Sequence, residues 1–190
     1  NKPQAKSVSI VTVSFNSHEH TLALLDNLRS LAYANVKIYV VDNGSASPIE
    51  PLLSRYPEVH LISSKQNLGF AAGNNLALQN DESDYVLLLN NDTLVEPDFL
   101  EKLIERAESE TEIGLVSPKI IFHNRDNTLQ YAGCTPIHPI TSRGFAIGFG
   151  EKDRGQHNVA MQTHRAHGAA MLIKREVINK VGLLPECYFL

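Results

Sequence analysis

The chain has few cysteines, which form disulfides and bind zinc, and no cluster of the basic residues that bind nucleic acid. Only two cysteines, Cys134 and Cys187, occur among the 190 residues, and they lie far apart without forming a Cys-x-x-Cys pair. Such sparse cysteine argues against a disulfide framework or a thiolate zinc site and is typical of a reducing compartment. Lysine and arginine are scattered, and the net charge is −4. Because nucleic-acid-binding proteins carry clustered positive charge, we expect no nucleic-acid partner.

Long hydrophobic runs are also missing. Residues 8–15 form the longest apolar stretch near the N-terminus, but Ser9, Thr12 and Ser14 interrupt it. This stretch falls far short of the roughly 18 residues that a membrane span needs, and no small-residue cleavage site of a signal peptide follows it. We therefore expect no transmembrane segment and a cytoplasmic location, and we leave association with the inner face of the membrane open.

Common phosphate-binding and zinc-binding motifs are absent as well. The Gly-Lys-Ser/Thr of a P-loop does not occur, and no Gly-x-Gly-x-x-Gly follows the first predicted strand. The eight histidines, among them His157, His164 and His167, match no zinc-ligand spacing. We expect these histidines to be surface or loop residues.

Strand-like and helix-like segments alternate along the first two thirds of the chain. Short apolar or β-branched runs predict strands at residues 8–15, 36–41, 59–62, 85–89, 115–117 and 168–173. Apolar residues at helical spacing predict helices at 24–31 and 99–107, and a short helix is predicted at 175–181. This alternation predicts an α/β fold with a mainly parallel central sheet and helices on both faces.

The later part of the chain is less regular. Glycine, proline, histidine and polar residues dominate from 124 to 162, and no period persists. A loop-rich stretch of this length inside a domain is usually functional or mobile. We expect disorder in residues 1–7, and we interpret the uncapped apolar ending at 188–190 as a truncation of a single domain that spans residues 1–190.

Three predicted strands end in polar clusters. The clusters are Phe15-Asn16-Ser17, Asp42-Asn43-Gly44-Ser45 and Asn90-Asn91-Asp92-Thr93. In open parallel sheets, ligands bind at the carboxyl ends of the strands. If these strands are parallel, all three clusters converge on one edge of the sheet.

Asp92 and Asp42 supply the acidic groups of this predicted edge. Asp92 follows a wholly apolar strand, where a carboxylate can hold Mg²⁺ or Mn²⁺ together with diphosphate oxygens. The alternative is an Asx turn before the helix that starts near Pro97. Asp42 can accept hydrogen bonds from the base or ribose of a nucleoside, or can belong to a simple Asn-Gly turn. The glycine-rich segment 67–75 allows either close approach of a ligand or tight helix-to-sheet packing.

Five segments, in this order, resemble motifs of the family 2 glycosyltransferases, particularly their rhamnosyltransferase-like branch. They are residues 10–16, 41–45, 67–75, 89–93 and 168–175. The resemblance implies a nucleotide-diphospho-sugar transferase type-A fold, which is Rossmann-like, and a nucleoside-diphosphate sugar as the donor. Residues 8–123 would then form the nucleotide-sugar-binding half, and residues 124–190 an incomplete acceptor-side half.

The resemblance also implies site residues. Asp92 looks like the ligand of a Mg²⁺ or Mn²⁺ ion in a D-x-D-like motif, in which Asn90 replaces the first acidic residue. The residues implied to bind the nucleotide are Ser14, Asn16, Asp42, Asn67, Gly69, Gly73, Asn74 and Asn91. Family members carry an acidic pair shortly after a segment that resembles residues 182–190. The general base is therefore expected beyond Leu190.

The implied reaction is an in-line displacement with inversion at the anomeric carbon, in cell-wall or polysaccharide biosynthesis. The metal would neutralise the leaving diphosphate, and the base would take a proton from the hydroxyl of a saccharide or lipid-linked saccharide acceptor. Since base catalysis is worth about 10²- to 10⁴-fold, we expect this chain to bind the donor but to transfer sugar poorly.

Two other functions stay open. A sugar nucleotidyltransferase shares the sheet architecture, but residues 14–18 lack the glycine-rich, arginine-containing loop that such an enzyme needs after its first strand. A non-catalytic relative that binds a nucleotide or sugar would use Asp92 only as a turn residue and would need no metal. Donor binding measured with and without metal separates this last case.

Overall fold

The computed structural model describes residues 5–187, and its strands form two sheets. The strands are β1 (Val8–Ser14), β2 (Val36–Asn43), β3 (Val59–Ser64), β4 (Tyr85–Leu89), β5 (Leu115–Val116), β6 (Ile120–Ile121), β7 (Leu129–Tyr131) and β8 (Ala170–Lys174). Six of them form the central sheet, in the order β3-β2-β1-β4-β8-β5, and β6 pairs with β7 in a small second sheet.

The central sheet is mainly parallel, as predicted. Strand β1 lies parallel to both β2 and β4, and β2 lies parallel to β3. Strand β8 is antiparallel to both of its neighbours, β4 and β5. All five residues of β4 are buried, because helices cover both faces of the sheet, and this is why the strands read as unbroken apolar runs.

Helices lie on both faces of the sheet, which is also as predicted. They are α1 (His18–Leu28), α2 (Gly69–Leu78), α3 (Phe99–Glu108) and α4 (Arg175–Val181), with a 3₁₀ helix at Glu50–Arg55. Leu24 of α1 and Leu100 of α3 are fully buried in one apolar cluster with Ile10 of β1. Ala77 of α2 and Ile178 of α4 belong to a second cluster, on the other face. Alternate residues of the strands supply the two clusters.

The later part of the chain completes the same sheet instead of forming a separate body. Strand β8 lies between β4 and β5, so residues on both sides of position 123 contribute to one sheet. Two isolated bridges, Thr128 with Lys152 and Cys134 with Ala146, organise the stretch that lacks sequence periodicity. Within residues 5–187, no helix is both long enough and apolar enough to cross a bilayer.

Residues 5–7 are held by hydrogen bonds, which corrects the disorder expected for them; residues 1–4 lie outside the described part of the chain. The side-chain amide of Asn35 donates to the carbonyl of Ala5 at 2.8 Å. The hydroxyl of Tyr33 donates to the carbonyl of Lys6 at 2.7 Å. Sequence composition could not reveal this, since the partners lie in a distant loop.

Two acidic side chains join the amino ends of β1 and β4. Asp84 accepts hydrogen bonds from the backbone N–H of Ser7 at 2.7 Å and from its hydroxyl at 2.9 Å, and these bonds lower the pKa of Asp84. Asp81 is buried and bonds with the hydroxyl of Ser9 and with the guanidinium of Arg175. Since a buried carboxylate is costly unless it is paired, these contacts fix the end of the sheet that lies opposite the candidate site.

Candidate functional site

The carboxyl ends of β1, β2 and β4 lie side by side at one edge of the sheet, because the three strands are parallel neighbours. The start of β8 lies at the same edge, since Leu89 pairs with Ala170 and the N–H of Asn90 donates to the carbonyl of Ala169 at 2.9 Å. We call this edge the rim; it comprises residues 15–17, 44–49, 90–93 and 167–169. The three predicted polar clusters therefore meet as expected.

A chain of hydrogen bonds ties β1, β4 and α1 together beneath the rim. The side-chain amide of Asn91 donates to the hydroxyl of Ser17 at 2.6 Å and to that of Thr21 at 2.9 Å. Thr21 in turn donates to the hydroxyl of Ser14 at 2.9 Å. Ser14 and Thr21 are fully buried. The side chains of Ser14 and Asn91 therefore help to position the rim, and the nucleotide-binding role expected of both residues stays a prediction.

Asp42 shapes the loop that follows β2. It is 4% exposed, and its two carboxylate oxygens accept the backbone N–H groups of Ser45 and Ile49, each at 3.2 Å. The side-chain oxygen of Asn16 accepts the N–H of Ala46 at 2.8 Å, which joins this loop to the end of β1. Asp42 therefore supports this loop, and the direct nucleoside contact expected of it stays a prediction. Asn16 is exposed at the rim, as a ligand-contacting residue should be.

Asn43 links the loop after β2 to the start of α2, and its role was not predicted. Its side-chain nitrogen donates to the Asn67 side-chain oxygen at 3.0 Å and to the carbonyl of Gly69 at 3.2 Å. Its side-chain oxygen accepts the N–H of Leu68 at 3.0 Å. Asn43 is 2% exposed. The available signal was strand alternation, which places Asn43 on the opposite face from Asp42 and so towards α2.

Small residues let α2 pack closely on the sheet beneath the rim. Gly69 has a φ of 77°, which favours glycine at the start of this helix. A Cβ on Gly73 would lie 3.3 Å from both the Asn43 side-chain nitrogen and a Val13 methyl. The two glycines therefore allow α2 to pack tightly on the sheet, which was the alternative to close approach of a ligand for this segment.

Asn74 is buried inside α2 and does not line the rim. Its side-chain amide donates to the carbonyl of Phe70, one turn earlier, at 2.8 Å. This bond gives Asn74 a structural role within α2, and its expected place in the wall of a nucleotide pocket stays a prediction. Its neighbour Asn75, which was not predicted, bonds with both the N–H and the carbonyl of Leu184 and with the carboxylate of Glu186. Asn75 thus anchors the C-terminal segment to α2.

Asp92 lies at the tip of the turn that follows β4, and its side chain is exposed. The turn is closed by Thr93, whose N–H and hydroxyl donate to the carbonyl of Asn90 at 3.3 and 2.7 Å. No hydrogen bond or ion pair within residues 5–187 involves the carboxylate of Asp92. The Asx-turn alternative would need that carboxylate to accept a nearby N–H, so this alternative is not supported.

The residues of the rim fit a cation that arrives with a phosphorylated ligand. No group of three or more histidine, cysteine, aspartate or glutamate side chains within residues 5–187 could hold a metal by itself. Mg²⁺ commonly binds through one or two carboxylates, waters and the phosphates of a substrate. The free carboxylate of Asp92 suits that mode of binding and does not suit a closed site made only of protein ligands.

Two histidines fix backbone at the rim. The Nε2 of His18 donates to the carbonyl of Ser47 at 2.7 Å. The Nδ1 of His167 accepts the N–H of Ala169 at 3.1 Å, and burial, assisted by the nearby Arg165, lowers the pKa of His167. When neutral, His167 therefore carries its proton on Nε2. Its expected place in a loop is correct, and its position beside the rim was not predicted.

Sequence comparison identifies the family to which this arrangement belongs. A model of the family described as glycosyl transferase family 2 matches residues 9–182. The chain belongs to glycosyl transferase family 2. The matched range contains the carboxyl ends of β1, β2 and β4 and the start of β8, so it includes every segment of the rim.

A curated relative covers nearly all of this family 2 chain. The low-salt glycan biosynthesis hexosyltransferase Agl10 of Haloferax volcanii is 30% identical over 190 residues. The alignment includes 96% of this chain and 57% of Agl10. The chain thus spans little more than half the length of this relative.

Solved structures show the fold. The mannosyltransferase PcManGT of Pyrobaculum calidifontis, in complex with GDP-Man and Mn²⁺, superimposes with a TM-score of 0.67 at 20% identity, over 97% of this chain and 49% of PcManGT. Residues 1–349 of TarS from S. aureus give a TM-score of 0.65 at 14% identity, over 95% of this chain and 50% of TarS. The chain therefore has the nucleotide-diphospho-sugar transferase type-A fold that its motifs implied.

Proposed function

We propose that the chain binds a nucleoside-diphosphate sugar at the rim and takes part in transfer of the sugar, with inversion, to an acceptor hydroxyl. The observation that carries this proposal is the unpaired carboxylate of Asp92 at the carboxyl edge of a parallel sheet, which is where such sheets bind their ligands. Asp42 and Asn43 support the loop that follows β2. Strand β1 lies between β2 and β4, so this loop faces the Asp92 turn across the end of β1. We propose that these features border one ligand site.

Asp92 would hold Mg²⁺ or Mn²⁺ against the diphosphate. When bound, the cation neutralises charge that develops on the leaving group. The chain supplies the placement: Thr93 closes the turn onto Asn90, and Asn91 clamps the same turn to α1, so the carboxylate projects from a rigid base. The Mn²⁺ in the PcManGT structure supports a divalent ion in this fold, and the choice between Mg²⁺ and Mn²⁺ stays a prediction.

Asn16 and Asn67 are the predicted nucleotide-binding residues whose side chains are exposed. The side-chain oxygen of Asn16 accepts the N–H of Ala46. The side-chain oxygen of Asn67 accepts hydrogen bonds from the side-chain amide of Asn43 and the N–H of Gly69. Neither side-chain nitrogen donates to any residue in the described range. We assign these two N–H₂ groups to hydrogen bonds with the ribose or phosphates of the donor.

The donor is proposed to carry a hexose or rhamnose. The name of Agl10, a hexosyltransferase of glycan biosynthesis, supports a hexose and a role in polysaccharide or cell-wall synthesis. Membership of the rhamnosyltransferase-like branch, a cytoplasmic location, and a saccharide or lipid-linked acceptor stay predictions. The general base also stays a prediction, placed beyond Leu190, and with it the expectation of weak transfer by this chain.

Calorimetry of UDP-, GDP- and dTDP-sugars with and without Mn²⁺ tests the proposal. We expect at least one donor to bind more tightly with Mn²⁺, and Asp92→Asn to remove that gain. Asp98→Asn is the matched control, because Asp98 is an exposed carboxylate near the same turn and is paired with Lys102 at 2.6 Å. Donor binding that ignores both Mn²⁺ and Asp92→Asn would instead favour a non-catalytic binding protein.

A further inference from the structure

A narrow hairpin projects from the region between β7 and β8. We call residues 134–146 the hairpin finger. Its two arms are paired by the bridge between Cys134 and Ala146 and by the N–H of Thr135, which donates to the carbonyl of Phe145 at 3.0 Å. Every residue from 136 to 143 is exposed. The finger therefore stands away from the rest of the protein.

The tip of the finger has a defined shape. The Nδ1 of His138 accepts the N–H groups of both Ile140 and Thr141 at 3.3 Å. The N–H of His138 donates to the carbonyl of Arg143 at 2.9 Å, and the N–H of Ser142 donates to the carbonyl of His138 at 2.8 Å. These bonds hold the tip in a turn of its own, and Ile140 at that turn remains exposed.

Large apolar side chains are concentrated on this finger. Ile140 at the tip is 87% exposed, Phe145 is 69% exposed and Ile137 is 52% exposed. The pairing of Cys134 with Ala146 places Phe145 on the face of the hairpin opposite Cys134, which is buried. Clustered apolar side chains that remain exposed to water are typical of a surface that binds a protein, a ligand or a membrane.

The charge around these side chains favours an anionic partner. Residues 127–150 contain no aspartate or glutamate, although the chain as a whole carries a net charge of −4. Arg143 is the only lysine or arginine in that range, and it forms no ion pair with any of residues 5–187. An apolar tip beside an unpaired cation matches the boundary between headgroups and acyl chains.

We propose that the hairpin finger inserts Ile137, Ile140 and Phe145 into the surface of an anionic lipid bilayer, with Arg143 against the headgroups. A protein partner fits less well, since a run this short supplies far fewer than the roughly 20–30 residues per side of a standard protein interface. The base of the finger contacts the segment before β8, through the N–H of Cys134 and the hydroxyl of Thr163 at 2.8 Å. Insertion would thus hold the protein close to the bilayer by a rigid part of its fold.

Co-sedimentation with lipid vesicles tests this proposal. Vesicles of phosphatidylcholine alone are compared with vesicles containing roughly one third phosphatidylglycerol, an anionic lipid. We expect the purified protein to bind the anionic vesicles. The triple variant Ile137→Ser, Ile140→Ser, Phe145→Ser should lower the partition coefficient about tenfold or more, and Arg143→Gln should lower it about fivefold on anionic vesicles only.

The control variant carries Leu52→Ser, Val159→Ser and Val181→Ser, which remove exposed apolar side chains elsewhere; these are 42%, 85% and 73% exposed. It should bind vesicles like the unmodified protein. Thermal melting of each variant confirms that it is folded. Failure of the unmodified protein to bind either vesicle overturns the proposal, as does unchanged binding of the triple variant. A dimer that only the triple variant disrupts would also overturn it, because the finger would then join two copies of this chain.

Fluorescence supplies a second readout. The chain contains no tryptophan, so Ile140→Trp introduces a single reporter at the tip of the finger. We expect its emission to shift to shorter wavelength when anionic vesicles are added, and the emission of a Val181→Trp control to stay unchanged. Equal behaviour of the two reporters, with or without a shift, would contradict insertion of the finger.

Discussion

Replacing Gly44 by alanine should disturb the loop that follows β2. Gly44 has a φ of +79°, and a Cβ there would lie 2.5 Å from the backbone carbonyl carbon of Gln66 and 2.8 Å from the backbone nitrogen of Asn67. The left-handed conformation costs an L-residue roughly 1–2 kcal/mol. Forcing the two loops apart adds about 1–3 kcal/mol. We therefore expect Gly44→Ala to lower the free energy of unfolding by about 2–5 kcal/mol.

Gly150 provides a matched control for this substitution. It has the same φ of +79°, but nothing lies within 4 Å of a Cβ placed on it. Gly150→Ala should therefore cost only the conformational part, about 1–2 kcal/mol. Urea unfolding of the two variants measures the difference, and donor calorimetry shows whether the displaced loop weakens binding. If Gly44→Ala is no less stable than Gly150→Ala, the loops after β2 and β3 do not pack as described.

Three further substitutions test contacts around the site. Asn75→Ala should speed hydrogen exchange at the Leu184 amide about tenfold, since each lost hydrogen bond is worth about 0.5–1.5 kcal/mol. Thr21→Val should lower the free energy of unfolding by about 1–3 kcal/mol, because it leaves buried polar groups unpaired. Asp84→Asn should make the free energy of unfolding fall less steeply as the pH is lowered. The lowered pKa of Asp84 stabilises the fold above the unfolded pKa of about 4, and this stability is lost as the pH falls through the folded value.

Specific results would contradict each of these expectations. Asn74→Ala breaks only a bond within α2, so exchange at Leu184 that responds equally to Asn74→Ala and Asn75→Ala would remove the proposed anchor. Urea unfolding of Thr21→Val that matches the unmodified protein would show that the hydroxyl chain beneath the rim adds no stability. Unfolding measured from pH 6 to pH 3 with the same slope for Asp84→Asn would rule out ionised Asp84 as a source of acid sensitivity.

The parallel part of the sheet could be predicted because its strands are buried on both faces. A strand buried on both faces has an unbroken apolar sequence, and β4 is an example. Strand β8 is also largely apolar, and its position was predicted, but apolar composition does not encode direction. Its antiparallel pairing with β4 depends on the path of the intervening chain, from 117 to 169, where no period is visible.

The position of the rim could be predicted, but the division of work among its residues could not. A polar residue after a strand can face a ligand or accept nearby backbone N–H groups, and both uses favour the same amino acids. Asp42 and Ser14 proved to be internal, whereas Asp92 and Asn16 are exposed. The distinction arises from contacts such as that between Asp42 and Ile49. These contacts require the loop conformation to be known.

Electron paramagnetic resonance of Mn²⁺ tests most directly whether Asp92 holds a cation beside a diphosphate. Free Mn²⁺ is titrated with GDP, UDP or dTDP, first alone and then with the protein. We expect the protein to remove more free Mn²⁺ signal than the nucleotide does alone, Asp92→Asn to abolish this extra loss, and Asp98→Asn to preserve it. An extra loss that survives Asp92→Asn in full would contradict the assignment of Asp92 as the metal ligand.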